Sequence, residues 1–179
     1  MNYLKIIIIP LIITVLLTSC KLIDGWTQFE VDYSSFVTLP QDLNINQSED
    51  VYPSAIEANL KAKVEDEGSS MDKIESVELT DLDLRITSPT GKDFQFLNSV
   101  ELYMNAEGLD EIKVAWKDDV PTSVGDALSL NTSSKDLTDY LVKEVVTLRL
   151  NTVLNQGISQ DYKIGIDVTF LIDAKILGI

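Results

Sequence analysis

The side chains that could do chemistry in this 179-residue chain are almost all carboxylates. Asp and Glu number 29 against 14 Lys and Arg, the formal net charge is -15, and there is no His. Without His, neither a Ser-His-Asp triad nor a Cys-His pair can be assembled, and Cys20, the only Cys, leaves no ligand set for structural zinc. Paired carboxylates can hydrolyse a glycosidic bond, one as acid and the other as nucleophile or base. Asp81 with Asp83, Asp110 with Glu111, and Asp118 with Asp119 are the pairs to weigh. In so acidic a chain such pairs arise by chance, and each reads first as solvated surface. Calcium asks for several oxygens from loops. Asp110, Glu111, Asp118, Asp119 and Asp126 flank Trp116, but without the spacing of an EF-hand. No catalytic residue, cofactor site or metal site is therefore expected, and the acidic balance excludes nucleic acid as a ligand.

Aromatic residues offer a different chemistry, because a sugar ring presents a face of C–H bonds that packs on an exposed indole or phenol. Trp26, Tyr52 and Tyr103 are scattered along the chain, and Trp116 shares strand parity with Ile112 and Val114, which predicts a place in the core.

The amino terminus supplies an address. Lys5 precedes an apolar run over residues 6–17, interrupted by Pro10, and the run ends at Thr18-Ser19-Cys20. A spanning helix needs about 20 apolar residues, so this stretch reads as the apolar region of a secretory leader. Leu17-Thr18-Ser19-Cys20 resembles the lipobox of bacterial lipoproteins. That resemblance implies cleavage after Ser19, a diacylglyceryl group on the Cys20 sulfur and an acyl chain on its new amine. Several acyl chains anchor stably where one is marginal. Lys21 in place of Asp implies, by the sorting rule of the same family, release to the outer membrane, and the lack of a dense acidic run at residues 22–25 favours the periplasmic side. Residues 1–19 are thus expected to be the signal peptide, 20–26 the lipidated Cys and a short tether, and 27–179 one folded domain. The tether spans at most about 25 Å, which holds the body close to the lipid.

Through that domain the prevailing pattern is period-two alternation, the mark of strands with one buried face. It is clearest at 162–174, where Tyr162, Ile164, Ile166, Val168, Phe170 and Ile172 share one face. The segment 145–154 alternates as well, and Asn155-Gln156-Gly157 between the two predicts an antiparallel hairpin. Further strands are expected at 76–87, 93–105 and 111–116, with weaker ones at 27–31, 34–39 and 127–130. Within 76–87, Val77 and Leu79 differ in parity from Leu82, Leu84 and Ile86, which predicts a bulge at Thr80 or Asp81. The polar stretch 41–50 reads as a loop.

Two short helices complete the pattern. In 55–67, Ile56, Leu60 and Val64 lie one turn apart, with Ser54 to cap the start and Gly68 to end it. The same stretch alternates well enough to serve as a strand, and propensity and caps favour helix. In 135–141, Ser133 and Asp136 resemble a capping box, and Leu137, Tyr140 and Leu141 make one apolar face suited to plugging the end of a sandwich.

Short alternating strands without regular intervening helices predict a mainly β fold, an antiparallel two-sheet sandwich. The mature chain resembles the small immunoglobulin-like β-sandwich lipoproteins of Gram-negative envelopes. That resemblance implies the sandwich architecture alone; the leader, the acidic balance and the lack of a catalytic motif lead to the expectation of a non-catalytic binding or scaffold subunit of an outer-membrane complex, with a protein partner. An accessory glycan-binding lipoprotein is the alternative, and a carboxylate-based hydrolase comes third.

Overall fold

The computed structural model describes residues 28–53, 60–143 and 145–175. Cys20, Trp26 and residues 55–59 of the expected first helix lie outside the described residues. The elements run β1 (Gln28–Leu39), β2 (Ser48–Val51), α1 (Leu60–Asp66), β3 (Ile74–Ser88), β4 (Leu97–Ala106), β5 (Ile112–Lys117), β6 (Ala127–Ser129), β7 (Asn131–Thr132), α2 (Thr138–Leu141), β8 (Val146–Leu154) and β9 (Tyr162–Ala174).

The strands form two antiparallel sheets, β1-β9-β3-β6 and β2-β8-β4-β5-β7. First strand pairs with last, second with last but one, and β4 with β5. The chain is therefore a doubled ribbon rolled round one core, which is the strand order of a jelly roll. A mainly β, two-sheet antiparallel sandwich with two short helices matches the expectation, and within that class the strands take the jelly-roll order in place of the immunoglobulin-like one.

One expected pairing is different. Strands β8 and β9 do not form a hairpin: β8 lies between β2 and β4, while β9 lies in the other sheet between β1 and β3. Alternation specifies which face of a strand is buried, and both strands bury theirs. It does not choose the neighbour. Every second residue of β9 from Tyr162 to Ala174 is buried, and so are Val146, Leu148, Leu150 and Leu154 of β8. Each large apolar side chain buried in this way contributes about 1.5–3 kcal/mol.

The bulge in β3 falls where expected. Register slips between Leu79 and Asp81 against β9, leaving Thr80 as the extra residue, and its hydroxyl donates to the Thr169 carbonyl at 3.1 Å. Val77 and Leu79 are thereby buried together with Leu82, Leu84 and Ile86. Another bulge lies in β5, where Leu102 pairs with Ala115 but Tyr103 pairs with Lys113, so that Val114 is extra. Val114 and Ala115 are both buried, and beyond them the parity is reversed. The expectation that Trp116 is core is corrected for this reason: it pairs with Glu101 and is only half-buried.

The segment 41–50 is not all loop, because Ser48–Val51 pairs with β8 at the sheet edge. An edge strand needs few apolar residues, and of these four only Val51 is buried. The weak strands expected at 27–31 and 34–39 are one continuous β1.

Of the first helix, Leu60–Asp66 is described. It closes as expected at Gly68 (φ +77°), with the Ser69 N–H donating to the Val64 carbonyl and the Gly68 N–H to that of Glu65, a Schellman closure. Val64 is fully buried, and Lys63 stands 4.4 Å from the Tyr33 ring centroid while donating to the Asp32 carbonyl. Burial pushes the Tyr33 phenol up to about 12. The second helix is shorter than expected. Leu137 holds its N-cap position, and Asp136 before it accepts from the Thr138 N–H and hydroxyl at 3.0 and 2.6 Å and also from the Val77 N–H. Leu137 and Leu141 are buried, so α2 seals that end of the sandwich.

Candidate functional site

The outer face of the five-stranded sheet carries the densest side-chain chemistry of the described residues. Register fixes its layout. Asp50, Asn151, Glu101 and Trp116 form one row across β2, β8, β4 and β5, and Arg149, Tyr103 and Lys113 form the next row. Side chains directly opposite on neighbouring strands lie about 4.5–5.5 Å apart at Cβ, so both rows are continuous. Tyr52, just past β2, is 69% exposed and extends the surface at the edge.

Arg149 ties this face together. Its Nε and Nη2 donate to the two Glu111 oxygens at 2.9 and 2.5 Å, a bidentate pair, while Nη1 donates to Asp50 Oδ1 at 2.6 Å. Its guanidinium carbon stands 4.1 Å from the Tyr103 ring centroid, within cation–π range. Asp50 also accepts from Asn151 at 2.6 Å, and Asn151 from Ser48 at 2.9 Å. Across the sheet, Glu101 accepts from the Tyr103 hydroxyl at 2.6 Å and from Lys113 at 2.9 Å, and Lys113 lies 5.6 Å from the Trp116 ring centroid.

These contacts set the protonation states. The Asn151 amide, with Arg149, holds Asp50 below the usual carboxylate range, and the Arg149 fork does the same to Glu111. Hydrogen bonds from Tyr103 and Lys113 lower Glu101, and the Tyr103 phenol is raised in return. The surface therefore carries fixed carboxylates, fixed cations and flat rings at neutral pH. Between Tyr52 and Arg149 it dips into a groove of about 320 Å³ whose lining includes Asp50, Glu111, Asn105 and Thr147. That volume is at the lower end of the range for ligand sites, about 300–1,000 Å³.

The acids weighed from the sequence are dispersed. Asp110 and Glu111 lie at the start of β5 and Asp118 and Asp119 beyond its other end. Asp126 reaches Arg85 at 3.9 Å, and Glu111 is engaged by Arg149. Asp81 and Asp83 point outward from the four-stranded sheet. Among the described residues no group of three or more His, Cys, Asp or Glu side chains could hold a metal ion. Of the four aromatic candidates, the fold brings Tyr52, Tyr103 and Trp116 onto one side of the sandwich. Sequence reasoning missed the centre of this site. Arg149 was legible as an outward residue of β8, but its partners come from β2, β4 and the approach to β5, and only the sheet order assembles them.

No protein-family model matches the sequence, and no curated protein matches it either. Similar solved structures include CpGH89CBM32-5 from Clostridium perfringens, in complex with GalNAc-β-1,3-galactose. It is 8% identical with a TM-score of 0.36, over 80% of this chain and 96% of that one. Cocksfoot mottle virus is 10% identical with a TM-score of 0.30, over 84% and 85% of the two chains. FLHE is 12% identical with a TM-score of 0.28, over 82% and 98%. Likenesses this distant leave the functional question to the side chains.

Proposed function

We propose that this protein is a non-catalytic, lipid-anchored glycan-binding protein of the bacterial envelope, held at the periplasmic side of the outer membrane through Cys20 and binding sugar on the outer face of its five-stranded sheet. The observation that carries the reading is the gathering of Tyr52, Tyr103 and Trp116 on one side, interleaved with Asp50, Glu111 and Arg149. Rings take the C–H face of a pyranose, and planar groups of fixed orientation take pairs of neighbouring hydroxyls. The scaffold role with a protein partner ranks second. Among the described residues, exposed Val142 and Val145 share only a small groove with Glu107 and Lys143, and exposed Phe36 and Ile45 are not part of it, whereas an interaction patch for protein is larger and contiguous.

Protonation supports the reading of binding without hydrolysis. A glycosidase needs one carboxyl that is still protonated at working pH to release the leaving group. All three carboxyls of this face are held below their ordinary range.

The test of the site is isothermal titration against a panel of envelope and plant-type polysaccharides, with Trp116→Ala and Tyr52→Ala beside the wild type. The expected outcome is binding that weakens by about tenfold or more in each variant while the melting temperature holds. Affinity equal in all three proteins would sink the reading. The test of the anchor is Cys20→Ser in cells fed a palmitate analogue. The variant should lose both label and membrane association, and retention of both would refute lipidation.

A further inference from the structure

We infer that the binding face is built for uncharged glycans and turns away acidic ones such as polyuronates. This rests on the glycan-binding reading and goes further, since it names the class of sugar.

The cations of this face are matched internally. Arg149 directs three of its five N–H groups at Glu111 and Asp50, and Lys113 reaches Glu101 at 2.9 Å. To bind the carboxylate of a uronic acid, Arg149 would have to leave a bidentate pair at 2.5 and 2.9 Å. The pair is also partly shielded, because the Arg149 side chain is only 20% exposed. A bidentate arginine–carboxylate pair is stronger and more directional than a neutral hydrogen bond, so the exchange gains little. Three carboxylates face two cations here, and the surrounding chain is acidic overall. An incoming anion therefore meets repulsion on approach as well.

Uncharged sugars meet the opposite situation. Carboxylates accept up to about four hydrogen bonds each, and the hydroxyls of a neutral pyranose are donors that can use the lone pairs left over. Asp50 and Glu111 are held still by Arg149, so little side-chain freedom is lost when sugar arrives. Arg149 is thus a positioning residue: it orients acceptors and stacks on Tyr103, and it is not itself the anion receptor its chemistry would suggest.

The experiment is calorimetric titration of the mature lipidated protein in detergent micelles with cellohexaose, mannohexaose, N-acetylchitohexaose and hexagalacturonate, at low and at physiological salt. At least one neutral oligosaccharide should bind about tenfold or more tightly than hexagalacturonate. In Asp50→Asn/Glu111→Gln, Arg149 is released. Hexagalacturonate should then gain about tenfold at low salt, and the gain should shrink at physiological salt, where charges are screened beyond roughly 8 Å. Glu111→Gln alone, at an exposed position just before β5, should show a smaller gain and serves if the double variant fails to fold. Wild-type preference for hexagalacturonate, or no gain in either folded variant, would overturn the inference and leave the glycan-binding reading standing. Failure of all four oligosaccharides to bind would overturn both.

Discussion

The two outer faces of the sandwich are written in the same alternating code and have become different surfaces. On the five-stranded sheet, Asp50, Glu101 and Glu111 are each engaged by Arg149 or Lys113, with Tyr103 and Trp116 between them. On the four-stranded sheet the outward positions include Glu30, Asp32, Glu78, Asp81, Asp83 and Asp167, and Asp83 lies directly opposite Asp167. Hydroxyls do much of the solvation there: Ser34 donates to Asp167 at 2.7 Å, Ser129 to Asp83 at 2.5 Å and Thr169 to Asp32 at 2.8 Å. One face is cross-linked and nearly balanced, and the other is acidic and self-repelling. The contrast teaches that total charge says little about where a ligand binds. The acids that matter are the minority tied to cations, because their charge is balanced as well as their position held.

The largest expected effects should not distinguish the faces at all, since both sheets pack on one core. Phe170→Ala beneath the four-stranded sheet should cost about 3–5 kcal/mol, and Leu150→Ala beneath the five-stranded sheet about 2–5 kcal/mol. Thr169→Ala, pointing outward, should cost under about 1 kcal/mol. Urea unfolding measures all three, and a small loss at either core site would break the two-layer description.

Below these, the arginines should separate the faces. Arg149→Ala leaves Asp50 and Glu111 without their shared partner and uncovers Tyr103, and an expected loss of about 1–3 kcal/mol follows. Arg85→Ala, on the acidic sheet, removes a solvent-exposed pair to Asp126 at 3.9 Å and should cost under about 0.5 kcal/mol. Similar losses in the two variants would mean that the network is decorative.

Acid titration sharpens the same point. Asp50, Glu101 and Glu111 have folded-state values lowered by hydrogen bonds, so the stability they lend is present above the unfolded carboxylate value of about 4 and is lost as pH falls below it. Melting temperature should therefore drop from pH 5 to pH 2 in the wild type and drop less in Arg149→Gln. Parallel curves would show that the shifts carry no stability.

The smallest effect has the opposite sign. Asp83→Asn should stabilise by roughly 0.2–0.5 kcal/mol at low salt by relieving the contact with Asp167, and the gain should shrink as NaCl is added. Any loss of stability would mean that Asp83 is held by more than Ser129.

Local pattern carried the strands well wherever one face is buried. Phe170 and its neighbours in β9, Leu148 and Leu150 in β8, and the slip at Thr80 were all legible because a change of parity needs no knowledge of a partner. The same logic failed at Trp116, since Ile112, Val114 and Trp116 alternate without a break and nothing local reveals that Val114 is a bulge. It failed at Ser48–Val51 because an edge strand asks for little hydrophobicity. It failed for β8 and β9 because Asn-Gln-Gly opens a connection of seven residues, 155–161, which is long enough to cross from one sheet to the other.

By itself, then, the sequence determined which side chains of most strands turn inward, where the first helix stops at Gly68, and that only a carboxylate or aromatic surface was available for chemistry. Those properties depend on residues within a few positions of one another. Tertiary structure alone decided that Arg149 would meet Asp50, Glu111 and Tyr103, which are 99, 38 and 46 positions away along the chain. A cross-strand site exists only once sheet order and register are set, and these are fixed by packing the whole core, a global minimum that no local spacing encodes.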